Sequence, residues 1–359
     1  MISAGDFAKK QIVFVFFNQG EKLSFSNDNF VVRDSDGKIK FQCTCYRLFL
    51  VFAVGHGSIT SGLIQRSKKF GFSLVMMTQG FRPYQSIGFS LEGNTMLRKA
   101  QYEYTSLDLA RRITENKIKN QRQVIMSLRN KNDKQFEAAA FMDTYIEQLR
   151  NADSLNEIMG IEGCAAKLYF PNYFNNVLWK RRAPRSKSDM VNVLLDIGYA
   201  ILFSFVDAVL NCYGFDVYCG VMHRNFYMRK SLVCDIIEPF RCVVDAQIRK
   251  AINLKQCREE DFIVESGRYS LKWEKNAEYI SWLAKPIVEY KSDIHLYIQS
   301  YYRAFIKHKL SRVYSQITLL NFCYCDQGIR MPAGKKLCEA FFDSIRQRRI
   351  MRRCLDFLL

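Results

Sequence analysis

From Lys10 to about Leu91 the chain sets short apolar, β-branched and aromatic runs between clusters of turn residues, a pattern that predicts strands. The runs are QIVFVFF, KLSFS, NFVVRD, KIKFQCTCY, RLFLVFAV and FSLVMMT. The punctuation is Asn18-Gln19-Gly20, Ser26-Asn27-Asp28, Asp36-Gly37, Gly55-His56-Gly57 and Thr78-Gln79-Gly80, residues that tolerate left-handed backbone or bond back onto their own chain. One segment, SITSGLIQRSKKFG, changes period. Ser58 or Thr60 offers an N-cap, Ile59, Leu63 and Ile64 share a face, and Gly71 is a C-terminal stop, so a single helix is expected against the sheet.

Beyond Gly93 strand-like runs give way to helical periodicity, with helices expected at 96–130, 135–150, 153–170, 189–213, 231–256 and 274–325. The prediction is an α+β fold: a small, antiparallel-rich N-terminal β-sheet domain with one helix, residues 1–95, followed by a larger all-α domain, residues 96–359. There is no internal repeat and no linker long enough to be disordered.

Composition narrows the class. Of 359 residues, 48% are hydrophobic and 25% charged, which excludes disordered and low-complexity chains. Lys and Arg (53) exceed Asp and Glu (35) by 18, so a polyanion is the leading partner and an anionic membrane the competitor. The best candidate span, LLDIGYAILFSFVDAVL, is interrupted by Asp196 and Asp207 and reads as a buried helix. No targeting pattern opens the chain, and a cytoplasmic address is expected. The 12 cysteines contain no CxxC; the closest pairs are Cys43/Cys45 and Cys323/Cys325, so they read as small buried hydrophobes.

Two segments carry candidate chemistry. In GIEGCAAKLYF, Glu162 stands between Gly160 and Gly163, where small neighbours let backbone or a ligand approach the carboxylate; the competing reading is an exposed Glu in a helix's first turn. In GVMHRNFYMRKSLVCDIIEPFR, His223 precedes Asp235 and Glu238, three residues apart and so on one helical face. Ser231 is an available N-cap, Pro239 frees the carbonyl of Asp235, and Arg241 can orient Glu238. A surface salt-bridge network competes here. Together, one imidazole and two or three carboxylates form a hard, oxygen-rich site suited to Mg²⁺ or Mn²⁺. His56, His295 and His308 lack ligand-spaced partners and read as structural. Basic residues cluster at KIKNQR (117–122), WKRRAPRSK (179–187) and RQRRIMRR (346–353). About half of these charges read as solvated helix face. In the second cluster Pro184 argues for a loop offering its cations to phosphates.

At this point the motifs resemble a known family, the CRISPR adaptation integrases (Cas1). VFAVGHGSITSGLIQRSKKFGFSLVMMTQG is similar to the family's strand–turn–helix–strand unit, NTMLRKAQY to its interdomain segment and NKIKNQR to its first helical motif. GIEGCAAKLYF, DMVNVLLDIGYAIL and GVMHRNFYMRKSLVCDIIEPFR follow in the family's order. The resemblance covers nearly the whole chain. It implies that the α-helical domain carries the metal site, with Glu162, His223 and Glu238 as ligands of Mg²⁺ or Mn²⁺ and Asp235 as neighbouring support or alternate third ligand. The phosphate contacts it suggests are Lys117, Lys119, Arg122, Lys180, Arg181, Arg182, Arg185 and Arg241. Ser188, Met190 and Cys242 stand where the family often has proline.

The implied reaction is metal-assisted transesterification, joining 3′-hydroxyl ends of short foreign DNA fragments (protospacers) to the border of a CRISPR repeat, with hydrolysis as a side reaction. Double-stranded DNA is the implied partner, together with a homodimer in which the β domain makes much of the contact, and two such dimers around a dimer of the small protein Cas2. The competing functions are a non-catalytic basic scaffold binding DNA ends and a stand-alone structure-selective nuclease.

Overall fold

The computed structural model describes residues 3–175, 179, 181–223 and 227–306. After a short helix α1 (Ala4–Ala8), the N-terminal region folds as β1 (Gln11–Phe16), β2 (Lys22–Ser26), β3 (Asn29–Arg33), β4 (Ile39–Thr44), β5 (Leu48–Val54), β6 (Ser58–Ile59), α2 (Ser61–Phe70), β7 (Ser73–Met77) and β8 (Pro83–Gly88). These strands form two four-stranded sheets, ordered β1-β5-β7-β8 and β4-β3-β2-β6.

Local chemistry explains the joints. Asn27 and Asp28 both take positive φ (46° and 59°) in the two-residue turn joining antiparallel β2 and β3, the hand that matches strand twist. Thr60 caps α2 by accepting from the Leu63 amide, and Gly71 closes it in the left-handed region (φ 74°), as the sequence predicts.

Two expectations are corrected. The region holds two helices, not one, because α1 forms behind the Ser3 cap. It is mixed, not antiparallel-rich: β1/β5, β5/β7 and β2/β6 pair parallel. The connection from β5 to β7 runs through α2, and a crossover of that kind returns the chain parallel. Parallel strands covered on both faces also explain why β1, β5 and β7 are continuously apolar. Val13, Val15, Val51, Ala53 and Leu74 face the second sheet; Ile12, Phe14, Phe49, Phe52, Val75 and Met77 face the helices. Phe7, Phe49 and Phe205 meet ring to ring across that second seam, so the sheet and helices share one core.

The helical part comprises α3 (Thr95–Tyr102), α4 (Asp108–Met126), α5 (Asp133–Asn151), α6 (Leu155–Tyr173), α7 (Met190–Tyr213), α8 (Ser231–Ile237), a 3₁₀ turn (Glu238–Phe240) and α9 (Arg241–Asn253). A hairpin, β9 (Phe262–Glu265) and β10 (Arg268–Leu271), precedes α10 (Asn276–Leu283), α11 (Lys285–Glu289) and α12 (Lys291–Ile306). The expected helix 96–130 is two, because the Ser106 and Tyr104 hydroxyls accept from the Asp108 and Leu109 amides and start a new helix. The expected 231–256 is divided at the 3₁₀ turn carrying Pro239. The expected 274–325 is three helices as far as Ile306, the second holding Pro286 in its first turn; 307–325 and His308 lie outside the described residues. Ser231 opens α8 but does not cap it, Lys230 standing at that position.

Helix α7 is long and apolar enough to cross a membrane, yet most of it is buried inside the protein. Asp207 on it pairs with Lys230 at 2.6 Å. Among the described cysteines, Cys45, Cys242 and Cys257 are buried as expected, while Cys164 is exposed and the others are half-buried. His295 is buried against Phe7, with the Tyr213 hydroxyl 3.0 Å from Nε2, and burial pushes its pKa down to about 4; His56 is exposed in the turn after β5.

Candidate active site

Helices α4 and α6 and the turn after α8 converge on one cluster of charges. Glu162 lies mid-helix on α6, not in a first turn. A Cβ at Gly160 or Gly163 would meet nothing within 4 Å, so that face of α6 is open beside the carboxylate. Glu238 sits in the 3₁₀ turn with its side chain 4% exposed, against 25% for Glu162. One wall of the site is thus buried and the other faces solvent.

The Lys117 ammonium, from α4, lies between the two carboxylates, paired with Glu162 and with Glu238 Oε2 at 2.5 Å. Arg241 reaches the other oxygen of Glu238 at 3.1 Å. Burial pushes the Glu238 carboxyl up, but Arg241 and Lys117 outweigh it and bring it down to about 2. Burial likewise opposes charge on Lys117, and Glu238 and Glu162 overcome it, so its pKa lies above the ordinary lysine value. Asn120, one turn further along α4, donates to the Pro239 carbonyl at 2.9 Å, fastening α4 to the turn that carries Glu238.

Asp235 is placed differently from Glu238. Its Oδ2 accepts from the Val221 and Met222 amides (2.6 and 3.0 Å), and its Oδ1 from the His223 amide (2.9 Å) and ring Nδ1 (2.6 Å). Gly220 makes room: a Cβ there would stand 2.8 Å from Asp235 Oδ2 and from Ser231 Cβ. Because a carboxylate only accepts, Nδ1 carries the imidazole proton and Nε2 keeps its lone pair for a ligand. Asp235 thus shapes the loop and orients His223, with both its oxygens committed.

Among the described residues no three His, Cys, Asp or Glu side chains stand close enough to share an ion. Glu162 and Glu238 nevertheless converge on a single cation, the Lys117 ammonium. Two carboxylates and an imidazole with Nε2 available form the hard, mixed O/N donor set that Mg²⁺ or Mn²⁺ accepts, so the residues fit such an ion.

The basic positions separate. Lys117, expected on a phosphate-facing surface, is buried between carboxylates. Arg182 is bound inward, to Asn192 Oδ1 (2.9 Å) and Asp196 Oδ1 (2.7 Å), so it anchors the loop. Arg182 and Arg241 both lie over the Tyr199 ring, at 5.4 and 4.9 Å. Lys119 pairs with Glu115 and Arg122 with Asp143. Arg181 and Arg185 are exposed. Lys180 and the run RQRRIMRR lie outside the described residues.

Sequence reasoning also missed buried Asp245, which accepts from the Tyr199 (2.5 Å) and Tyr169 (3.1 Å) hydroxyls. Burial raises its pKa to about 6 against the pull of those two bonds. The signal for Lys117 and Asn120 was their place among apolar Ile113, Ile118 and Val124 on a helix buried on more than one side.

A family model described as CRISPR associated protein Cas1 matches residues 14–285. Similar curated proteins include a CRISPR-associated endonuclease Cas1 of Leptospira interrogans, 32% identical over 193 residues, 48% of this chain and 75% of that protein. Another, named CRISPR-associated endonuclease Cas1 1, from Moorella thermoacetica, is 29% identical over 251 residues, covering 65% and 73%. Among solved structures, a CAS1 protein from Thermotoga maritima superposes with TM-score 0.73 at 17% identity, covering 85% of this chain and all of that one. A casposase bound to integration product gives 0.71 at 17% identity, covering 93% and 99%. A chain of a Cas6-RT-Cas1–Cas2 complex gives 0.73 at 19% identity over 86% of this chain, which spans 36% of the larger one. At these identities the structural likenesses establish the fold.

Proposed function

The chain belongs to the CRISPR-associated Cas1 family, and from that premise we propose that it is a metal-dependent DNA integrase of CRISPR adaptation. In this reading it joins the 3′-hydroxyl of a short duplex fragment to a phosphodiester at a CRISPR repeat. The observation that carries the reading is the convergence of Glu162 and Glu238, from separate elements, on one cation position, with His223 held nearby in a fixed tautomer. Glu162, His223 and Glu238 would hold Mg²⁺ or Mn²⁺, and the bound ion would supply the Lewis acidity that phosphodiester exchange at neutral pH requires.

The chain's own groups do the rest. Asp235 keeps the His223 proton on Nδ1, Arg241 fixes Glu238 through Oε1, and the exposed Arg181 and Arg185, with Lys180, hold the duplex by its phosphates. Exchange forms one P–O bond and breaks another, so no nucleotide triphosphate is consumed. Water in place of the 3′-hydroxyl gives cleavage, consistent with relatives that are named endonucleases. We assign the β region, residues 1–95, to homodimer contact, since edge strand β8 leaves Tyr84 59% exposed. The assembly would place two dimers about a Cas2 dimer in the cytoplasm; a solved structure similar to this chain is a Cas6-RT-Cas1–Cas2 complex.

The test uses labelled duplex fragments and plasmid carrying a repeat. Wild type should give joined product with Mn²⁺ or Mg²⁺, and Glu162→Ala should lose it while still binding DNA. Retained joining in Glu162→Ala would make the chain a scaffold, and cleavage without any joined product would make it a nuclease.

A further inference from the structure

Lys117 is not among the groups to which the proposed chemistry assigns a role. Its ammonium has given up almost all contact with water, the side chain being 6% exposed, and it lies at the point shared by Glu162 and Glu238. Resting on the metal-site reading above, we propose that Lys117 is the built-in counter-ion of the site. It holds the two carboxylates together in the metal-free protein and competes with the divalent ion for the same oxygens.

Three observations lead there. First, each Glu238 oxygen already faces a cation, Oε2 the Lys117 ammonium and Oε1 the Arg241 guanidinium. Of the two, only Lys117 is shared with Glu162, so an ion bridging both carboxylates meets the ammonium there. Second, the two carboxylates that meet Lys117, Glu162 and Glu238, are already matched in charge by Lys117 and Arg241. A divalent ion added to these four side chains without displacement would crowd positive charge into a partly desolvated cluster, where unpaired charge is costly. Third, the displaceable partner is a lysine, a point charge on a flexible stem. The partner that stays is an arginine whose guanidinium is also held over the Tyr199 ring, and such a planar fork is far less free to move.

The consequence is a site that stays assembled without an ion but binds one more weakly than its donor set alone would allow. Lys117 is therefore a positioning residue, acting through Glu162 and Glu238.

The test compares the full-length wild type with Lys117→Met and Lys117→Arg by thermal unfolding in EDTA and by Mn²⁺ titration followed by electron paramagnetic resonance. In EDTA, Lys117→Met should melt roughly 5 °C below wild type, because buried Glu238 and partly exposed Glu162 lose their common partner. The same variant should bind Mn²⁺ about tenfold more tightly, since nothing has to be displaced. A merely structural lysine would give the melting loss with unchanged or weaker Mn²⁺ binding, and that result overturns the proposal. Lys117→Arg gives a second arm that does not depend on Lys117→Met folding. It should melt near wild type in EDTA and bind Mn²⁺ more weakly, and wild-type affinity there also overturns the proposal. If wild type itself shows no saturable Mn²⁺ site, the proposed function falls with it; equal affinity in all three proteins removes the role of Lys117 alone.

Discussion

Replacing Asp235 by Asn changes one atom, and the donors around that carboxylate decide the outcome. The carboxylate accepts four hydrogen bonds, two on each oxygen. If the new amide nitrogen takes the place of Oδ2, it faces the Val221 and Met222 amides, and donor meets donor twice. Hydrogen bonds to a charged group are worth about 1.5–3 kcal/mol each, so that orientation costs about 3–6 kcal/mol. If the nitrogen takes the place of Oδ1, it faces the His223 amide and ring Nδ1. The imidazole has an escape that a backbone amide lacks: it releases its Nδ1 proton, accepts from the asparagine, and carries the proton on Nε2. Only the His223 amide then loses its acceptor, so this arrangement is cheaper by about one such bond.

The folded variant should therefore survive with the wrong histidine tautomer. A protonated Nε2 has no lone pair to offer, so the metal-ligand role proposed for His223 would be lost while its position barely changes. Strand transfer should fall on the order of 10²–10⁴-fold and Mn²⁺ affinity about 10–100-fold, with duplex binding unchanged because it rests on separate cations. Long-range ¹⁵N–¹H correlation of the imidazole reads the tautomer directly. A folded Asp235→Asn protein with Nδ1 still protonated and wild-type transfer would refute the account of both residues.

Gly220→Ala attacks the same cradle sterically: with Ser231 and Asp235 2.8 Å from the new Cβ, a destabilisation of about 1–3 kcal/mol and a loss of transfer are expected, measured by denaturant titration and joining assays. Arg182→Ala should lower stability by about 1–3 kcal/mol through its lost bonds to Asn192 and Asp196. Arg181→Ala with Arg185→Ala should leave melting unchanged but flatten the salt dependence of duplex binding by up to about 0.9 per contact, and the reverse pattern would exchange the roles of anchor and phosphate contact. Asp245, raised from 3.8 to about 6, contributes stability that is fully present below about pH 4 and lost as pH rises through 6, about 3 kcal/mol in all. The stability difference between wild type and Asp245→Asn should therefore shrink over that window, and a difference independent of pH would remove the assignment.

How much of this was legible beforehand depended on the range of the interaction involved. The helices at 133–151, 155–173 and 190–213 follow from apolar periodicity and from the local caps Asn132, Ser154 and Asp189. The turn at Asn27-Asp28 and the stops at Gly71 and Gly214 are written in single residues. Hairpin β9–β10 falls between the helices expected at 231–256 and 274–325, in a stretch for which no element is expected; its turn residues Ser266 and Gly267 both take positive φ. The parallel pairing of β5 with β7 is readable from the helix predicted between them, whereas that of β1 with β5 and of β2 with β6 joins strands that no single crossover element links.

The charged residues divide in the same way. His223, Asp235 and Glu238 are close enough in sequence to be grouped by inspection, but their ranking is not, since it depends on three consecutive amides wrapping one carboxylate. Lys117 and Arg182 were grouped with the cations that meet solvent, the usual place for a lysine or arginine. What moves them inward is acidic residues arriving from elsewhere, Glu162 and Glu238 for one and Asp196 for the other. Buried cations and buried acids have to be read as pairs: once Glu238 is placed at 4% exposure, some cation must come with it. Arg241, three positions on, is one such cation; Lys117, 121 positions away, is the second, and its helix passes the right point.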